Sequence, residues 1–266
     1  MNATMQNLIA AAQASFLGAL PTPGAIAATL AAVMAAALLR GFTGFGFALA
    51  AVPLMGLVMA PAKAVPIAVL LQLLGGLADL RRNRRDCHWP SLRWLIVGAV
   101  IGSPLGVLAL SVAPAPVARI VISVIIALAV LMLGRGFALA AVPSRFATVL
   151  VGATSGLFNG LAAMPSPPAI VYYMSGPFRA ATARASLLVF FLATSIAAFT
   201  SIVAVGLASS AVVWLAVLAL PVMLLGTWIG ELGFRRGTER LHRHVSIVSL
   251  GVIALISAAK GFSELM

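Results

Sequence analysis

A guanidinium, Arg40, closes an apolar run and stands directly before a stretch rich in glycine and phenylalanine, Gly41-Phe42-Thr43-Gly44-Phe45-Gly46-Phe47, which leads to Pro53. A second stretch, Gly156-Leu157-Phe158-Asn159-Gly160 followed by Pro165-Ser166-Pro167-Pro168, repeats the same glycine-to-proline spacing. Both lie in apolar sequence, where glycine and proline interrupt a helix. Broken backbone at membrane depth is tolerated only inside protein or around a cavity, and a matched pair of breaks in two halves points to the binding site of a solute carrier. The chemistry offered is that of anion capture. Half-helices starting near Gly44 and Pro165 would aim free N–H groups and positive dipole ends inward. Gly44 and Gly46 would let a ligand approach the backbone, and Pro165 and Pro167 suit a first helical turn. Thr43, Asn159 and Ser166 add uncharged hydrogen bonds. Phe45, Phe47 and Phe158 could form an apolar gate or meet an organic tail.

Arg40 admits two readings of equal weight. Its planar donor fork suits a sulfonate, sulfite or carboxylate, and an Arg within a span costs on the order of 2.5–3.5 kcal/mol unless a cavity or partner receives it. The alternative is a helix-end Arg that snorkels to lipid phosphate. Lys63 and Arg179 begin equivalent later segments and could draw anions to two mouths of a pathway, or simply sit at the interface. Gln72 is a lone amide in a span, as suited to joining helices as to touching a substrate. The candidate substrate contacts are thus Arg40, Thr43, Gly44, Phe45, Gly46, Asn159, Pro165, Ser166 and Pro167. Phe47, Lys63, Gln72, Phe158 and Arg179 are candidates for the pathway or gate. Gly98, Gly102, Gly106, Gly226 and Gly230 have the four-residue spacing of close helix packing instead.

The elements that must hold these groups follow from composition. The chain is 62% hydrophobic and 8% charged, with a mean hydropathy of +1.14, which specifies an all-α polytopic membrane protein. Ten apolar segments can be drawn, at about 24–40, 44–60, 63–80, 92–111, 117–134, 146–160, 162–176, 183–206, 211–231 and 245–263. The second and seventh are short enough to be half-helices folded back on their neighbours. Residues 1–39 carry no charged side chain, so the basic start of a cleavable signal peptide is not expected. The net charge of +12 is concentrated in loops, with Arg81, Arg82, Arg84, Arg85 and Arg93 in one and Arg235, Arg236, Arg240 and Arg243 in another. That is the pattern of cytoplasmic loops beside anionic lipid, not of a nucleic-acid surface.

Loop charge also constrains topology. With both Arg-rich loops in the cytoplasm, the loops 111–116 and 205–211, which lack Lys and Arg, fall outside, and 134–145 falls inside. A straight helix over 146–176 breaks this alternation, whereas a break in the Asn159–Pro168 region restores it. Five elements per half then make two bundles of opposite orientation. The expected organisation is an N-terminal segment 1–23, a first repeat 24–134, a cytoplasmic linker 135–145 and a second repeat 146–266, with 8–10 membrane segments and both termini periplasmic. Pro61-Ala62-Lys63-Ala64 echoes Pro177-Phe178-Arg179-Ala180, and Gly102-xxx-Gly106 echoes Gly226-xxx-Gly230.

These motifs resemble those of the sulfite exporter TauE/SafE family, bacterial inner-membrane anion permeases. Gly44-Phe45-Gly46-Phe47-Ala48 with Pro53 is similar to the family's glycine motif with two glycines replaced, and Gly41 to Phe47 resembles a variant of it. Ala163-Met164-Pro165-Ser166-Pro167-Pro168 is similar to a variant ending in Gly-Pro-Pro, with Ser166 in the glycine's place. Arg184 to Phe191 resembles that variant's next helix. The resemblance spans about 24–263 and implies transport of a small sulfur-containing anion such as sulfite, an organosulfonate or a sulfoacetate-like compound by alternating access. An anion-selective channel and a carrier of small carboxylates are the competing transport readings.

No cofactor is expected, and no Cys/His set has zinc spacing. Cys87 is the one cysteine, so no internal disulfide forms. Asp79 and Glu231 sit near arginines and suit ion pairs, so a coupling proton has no carboxylate relay, while a coupling cation stays open as a partner. Ser155 invites comparison with an intramembrane protease, but His88, His242 and His244 lie in the Arg-rich loops, away from it.

Overall fold

The computed structural model describes residues 22–43, 46–135, 143–234 and 239–264. Residues 1–21 of the expected N-terminal segment 1–23, the tip residues Gly44 and Phe45, most of the linker and part of the 234–244 loop lie outside the described residues, as does the side chain of Thr43. Ten helices and no strand occur among the described residues. They are α1 (Pro23–Thr43), α2 (Phe47–Gly56), α3 (Pro61–Asn83), α4 (Trp89–Val112), α5 (Ala115–Arg135), α6 (Arg145–Ala162), α7 (Ser166–Ser175), α8 (Ala180–Ala204), α9 (Ser210–Phe234) and α10 (Glu239–Ser263). Five are long and apolar enough to cross a membrane, within α1, α4, α5, α8 and α9. Their outer faces are apolar as well: Ile101, Leu105 and Leu108 of α4 and Trp214, Leu224 and Trp228 of α9 are exposed, as expected of helices bathed in hydrocarbon.

The two short segments are ten-residue helices, so each spans about 15 Å, half the bilayer core. The breaks are narrower than the motifs suggested. Helix α1 runs through Gly41 to Thr43, and α6 runs through Gly156, Asn159 and Gly160 to Ala162. Pro53 falls in the interior of α2 rather than in its first turn, whereas Pro167 and Pro168 do occupy the start of α7. The chain reverses after α6: Tyr172 and Thr148 join hydroxyls at 3.2 Å, so α7 runs back beside the helix that precedes it. A hairpin of this shape is one of the arrangements that the alternation of loop charge allows.

Interhelix seams explain the glycines. A Cβ on Gly98, Gly102 or Gly106 of α4 would lie 2.0–2.2 Å from the carbonyl oxygen of Val149, Ala153 or Leu157 on α6. From the other side, Gly152, Gly156 and Gly160 meet Leu95, Ala99 and Ser103 in the same way. The matching order along both chains makes α4 and α6 parallel neighbours. Helices α1 and α9 repeat the contact, with Gly41 against Thr227 and Gly230 against Leu38. Close packing is therefore the role of Gly98, Gly102, Gly106, Gly226 and Gly230, as the spacing predicts. It is also the role of Gly41, Gly156 and Gly160, which the sequence had suggested as part of the breaks. Only backbone fits where two helices approach this closely.

Two sets of contacts mark the bundle's ends. At one end, the loop after α3 meets the starts of α4, α6 and α8 and the end of α7. There the His88 N–H donates to Ser186 Oγ at 2.9 Å, Ser91 Oγ and the Tyr173 hydroxyl are 3.2 Å apart, and Arg93 and Arg145 both lie over the Trp94 ring. At the other end, Arg119 of α5 bonds the carbonyls of Gly56 and Met59 and pairs with Glu264, and Lys260 of α10 reaches Leu57 O. Helix α3 joins the two ends, with Lys63 at its start and the Arg-rich run at its finish, about 30 Å apart.

Candidate functional site

A small cavity of about 40 Å³ lies where the two breaks approach each other. Gly46, Phe47 and Ala48 line it from the start of α2 and Ser166 from the start of α7. Arg40 comes from the end of α1, Gln72 and Gly76 from α3, and Leu188, Phe191 and Leu192 from α8. The volume suits about three waters or one compact anion. A larger crevice of about 440 Å³ between α1, α2, α9 and α10 is lined, among the described residues, by Gly and apolar side chains, including Leu38, Phe42, Leu54 and Ile253.

Each wall of the small cavity has a local cause. Gly46 caps α2 with φ 87°, a left-handed conformation natural to glycine, and the chain there turns inward without strain. Ala50 N donates to Gly46 O at 3.3 Å, which is the first ladder bond of α2. The amides before it, on Phe47, Ala48 and Leu49, have no partner within the helix. On the opposite side, Ala163 closes α6 at φ 57°, with its own N–H bonded to Asn159 O and that of Met164 to Phe158 O. Alanine in this conformation is strained by about 1–2 kcal/mol. The turn's outward carbonyl is then taken by Gln72, whose Nε2 donates to Ala163 O at 2.8 Å. A single amide thus joins α3 to the second break while also lining the cavity.

The two half-helices contribute unequally. Helix α2 presents ordinary amides at its start. Helix α7 begins Ser166-Pro167-Pro168, and each proline lacks an N–H, so α7 offers the Ser166 hydroxyl and amide and its dipole rather than a row of donors. The fuller nest of amides predicted at both breaks therefore belongs to α2. Arg40 is half-buried, and its Nη1 lies 3.5 Å from where a Cβ on Gly75 would stand, so the guanidinium rests against a small-residue notch of α3. Charge, amides, hydroxyl and carboxamide converge on one small space.

Of the residues singled out from the sequence, Arg40, Gly46, Phe47, Gln72 and Ser166 line this cavity together. Pro165 and Pro167 are buried beside it as the cap and second residue of α7. Asn159 is fully buried behind it on α6, with neither amide atom hydrogen-bonded. Phe158 is half-buried against the central core. Lys63 and Arg179 are both exposed, in the first turn of α3 and at the cap of α8. Gly44 and Phe45 lie outside the described residues. Sequence reasoning missed Leu188, Phe191 and Leu192, whose i, i+3, i+4 spacing marks one face of α8. It missed Arg119 too, which anchors the far end of α2 although nothing nearby in sequence names its partners. Ser155 Oγ has no hydrogen-bond partner, and His88 Nδ1 is engaged with Ser91 Oγ at 2.8 Å, so among the described residues no histidine serves Ser155 as a base; the side chains of His242 and His244 lie outside the described residues.

A multi-pass α-helical membrane protein whose two broken helices meet around a polar cavity has the architecture of a solute carrier. The family model described as Sulfite exporter TauE/SafE matches residues 28–257, and the chain belongs to that family. Family membership makes it a membrane transporter. No curated protein and no solved structure matches the chain.

Proposed function

We propose that this chain is a permease for a small sulfur-containing anion, of the class of sulfite, organosulfonates or sulfoacetate-like compounds, held between the two breaks. The observation that carries this reading is the convergence of Arg40, the leading amides of α2, Ser166 and Gln72 on one cavity. Compact tetrahedral or pyramidal oxyanions present several acceptors to such a ring of donors, and a forked guanidinium meets two of them at once. The apolar Phe47, Leu188, Phe191 and Leu192 flank the polar groups and suit a short organic tail.

The paired seams support alternating access. Helix α4 packs on α6 and α9 on α1, while α3 and α8 pack on each other across the centre. Under an inverted-repeat reading these are the same contacts made twice, from opposite sides of the membrane. Rocking of one repeat against the other would then open the cavity to each side in turn. In this orientation the Arg-rich loops are cytoplasmic, the termini periplasmic and the membrane the bacterial inner membrane.

Reconstitution in liposomes tests the proposal. Saturable sulfite or sulfoacetate uptake, with counterflow against trapped substrate, is the expected result. Arg40→Ala should raise the half-saturating concentration about 10- to 100-fold, the loss of charge-assisted hydrogen bonds of about 1.5–3 kcal/mol. Arg40→Lys should recover only part, since a point charge replaces the fork. Unsaturable current would instead identify a channel, and preference for matched carboxylates a carboxylate carrier. Unchanged saturation in Arg40→Ala would remove Arg40 from the site.

A further inference from the structure

Asn159, Ser155 and Ser103 form a buried polar group that the anion cavity does not use. Each is fully buried, and Asn159 Oδ1, Asn159 Nδ2, Ser155 Oγ and Ser103 Oγ have no hydrogen-bond partner. Orphaned polar atoms at this depth are costly and call for an occupant. They are also close together. Ser155 and Asn159 lie one turn apart on one face of α6. A Cβ on Gly156 would sit 2.9 Å from Ser103 N, and one on Gly160 would sit 2.3 Å from Ser103 O, so Ser103 stands level with the gap between them. In a parallel pair, the position after a seam residue on one helix and the position before it on the other project to the same side. Ser103 follows Gly102, and Ser155 and Asn159 precede Gly156 and Gly160. All three therefore face one space beside the α4–α6 seam.

We infer that this space binds a small monovalent cation, Na⁺ by its chemistry, which accompanies the transported anion. The ligating atoms are three neutral oxygens, Asn159 Oδ1, Ser155 Oγ and Ser103 Oγ, with no carboxylate, insufficient to offset the hydration of a divalent ion; the Asn159 Nδ2–H cannot ligate a cation and needs an acceptor such as a water. Asn159 lies in the last turn of α6, whose negative dipole end favours a cation over an anion. The coupling role rests on the inverted-repeat reading: aligning Gly41 with Gly156 and Pro53 with Pro168 puts Arg40 opposite Ser155. One half would then supply a fixed positive charge and the other a place for a mobile one. An anion held between them would be transported with its counter-ion.

The test is the melting temperature of the full chain in detergent, titrated with NaCl at constant ionic strength against choline chloride, with KCl as a parallel series and no substrate anion present. A saturable rise specific to Na⁺ is expected. Ser155→Ala should shift its half-saturation about tenfold, and Asn159→Leu, which keeps the volume, should abolish the response while preserving a cooperative transition in choline. A wild-type chain indifferent to Na⁺, with water alone filling the space, overturns the inference, as does an undiminished response in Asn159→Leu. If that variant fails to fold, Ser103→Ala decides, and an unshifted half-saturation counts against the site. Sodium-independent sulfite flux would sink this inference and leave the permease standing. Sodium stabilisation without any anion flux would do the reverse.

Discussion

Replacing Gly102 by alanine isolates the seam that carries the second break. The added Cβ would lie 2.0 Å from Ala153 O and 2.9 Å from Leu157 N, both backbone atoms of α6 that no rotamer change can move. An ordinary carbon–oxygen contact needs about 3.3 Å, so α4 and α6 must separate by roughly 1 Å over the turns around the new methyl. A gap of 0.5–1 Å forfeits about a quarter to a half of each dispersion contact it opens, and overpacking of this kind costs about 1–3 kcal/mol. Alanine's better helix propensity returns at most about 1 kcal/mol. A loss of about 2 kcal/mol corresponds to roughly 4–8 °C in melting temperature for a chain of this size. Because Ala163 caps α6, the same displacement would stretch the 2.8 Å bond from Gln72 beyond hydrogen-bond range, so transport should fall by more than stability. Thermal unfolding and liposome uptake of one preparation measure both. Gly251→Ala, with nothing within 4 Å of its Cβ, is the control and should be neutral or slightly stabilising. A Gly102→Ala protein that melts and transports like the parent would refute the packing argument.

Two further outcomes follow from the ends of the bundle. Arg119→Met should lower the melting temperature by roughly 4–10 °C, since it strips the carbonyls of Gly56 and Met59 of a buried cap; Glu264→Gln should cost far less because Glu264 is partly exposed, and equal losses would show that the ion pair rather than the cap matters. Burial, and secondarily the Asp86 carboxylate, push the Cys87 thiol above its ordinary range, so less thiolate is present at neutral pH. Maleimide labelling should be slow at pH 7 and accelerate about tenfold per pH unit, and Asp86→Asn should quicken it only modestly. Fast labelling at pH 7 would contradict the burial.

How much of this was written in the residues varies with distance along the chain. Ten apolar segments appear as ten helices, since membrane helices must be long, apolar and satisfied by their own ladders. The two short segments were recognisable because Gly46 and the Pro165–Pro168 run stop helices by local chemistry. Spacing of four between Gly102 and Gly106, and again between Gly226 and Gly230, announced packing but not its partner. That Gly41, Gly156 and Gly160 belong to the same seams could not be read locally, because a glycine in a break and a glycine under a neighbouring backbone look alike in sequence.

Amino-acid order by itself thus determined the membrane class, the helices, the two interruptions and the loop charge that constrains their sense, all properties of residues near one another. Tertiary structure decided which groups meet. It set Arg40 beside Gly75, carried Gln72 across to Ala163, and enclosed Ser103, Ser155 and Asn159 without partners. The reason is geometric: a site made by α1, α2, α3, α7 and α8 depends on how helices far apart in the chain approach, and that approach is fixed by which backbones can touch.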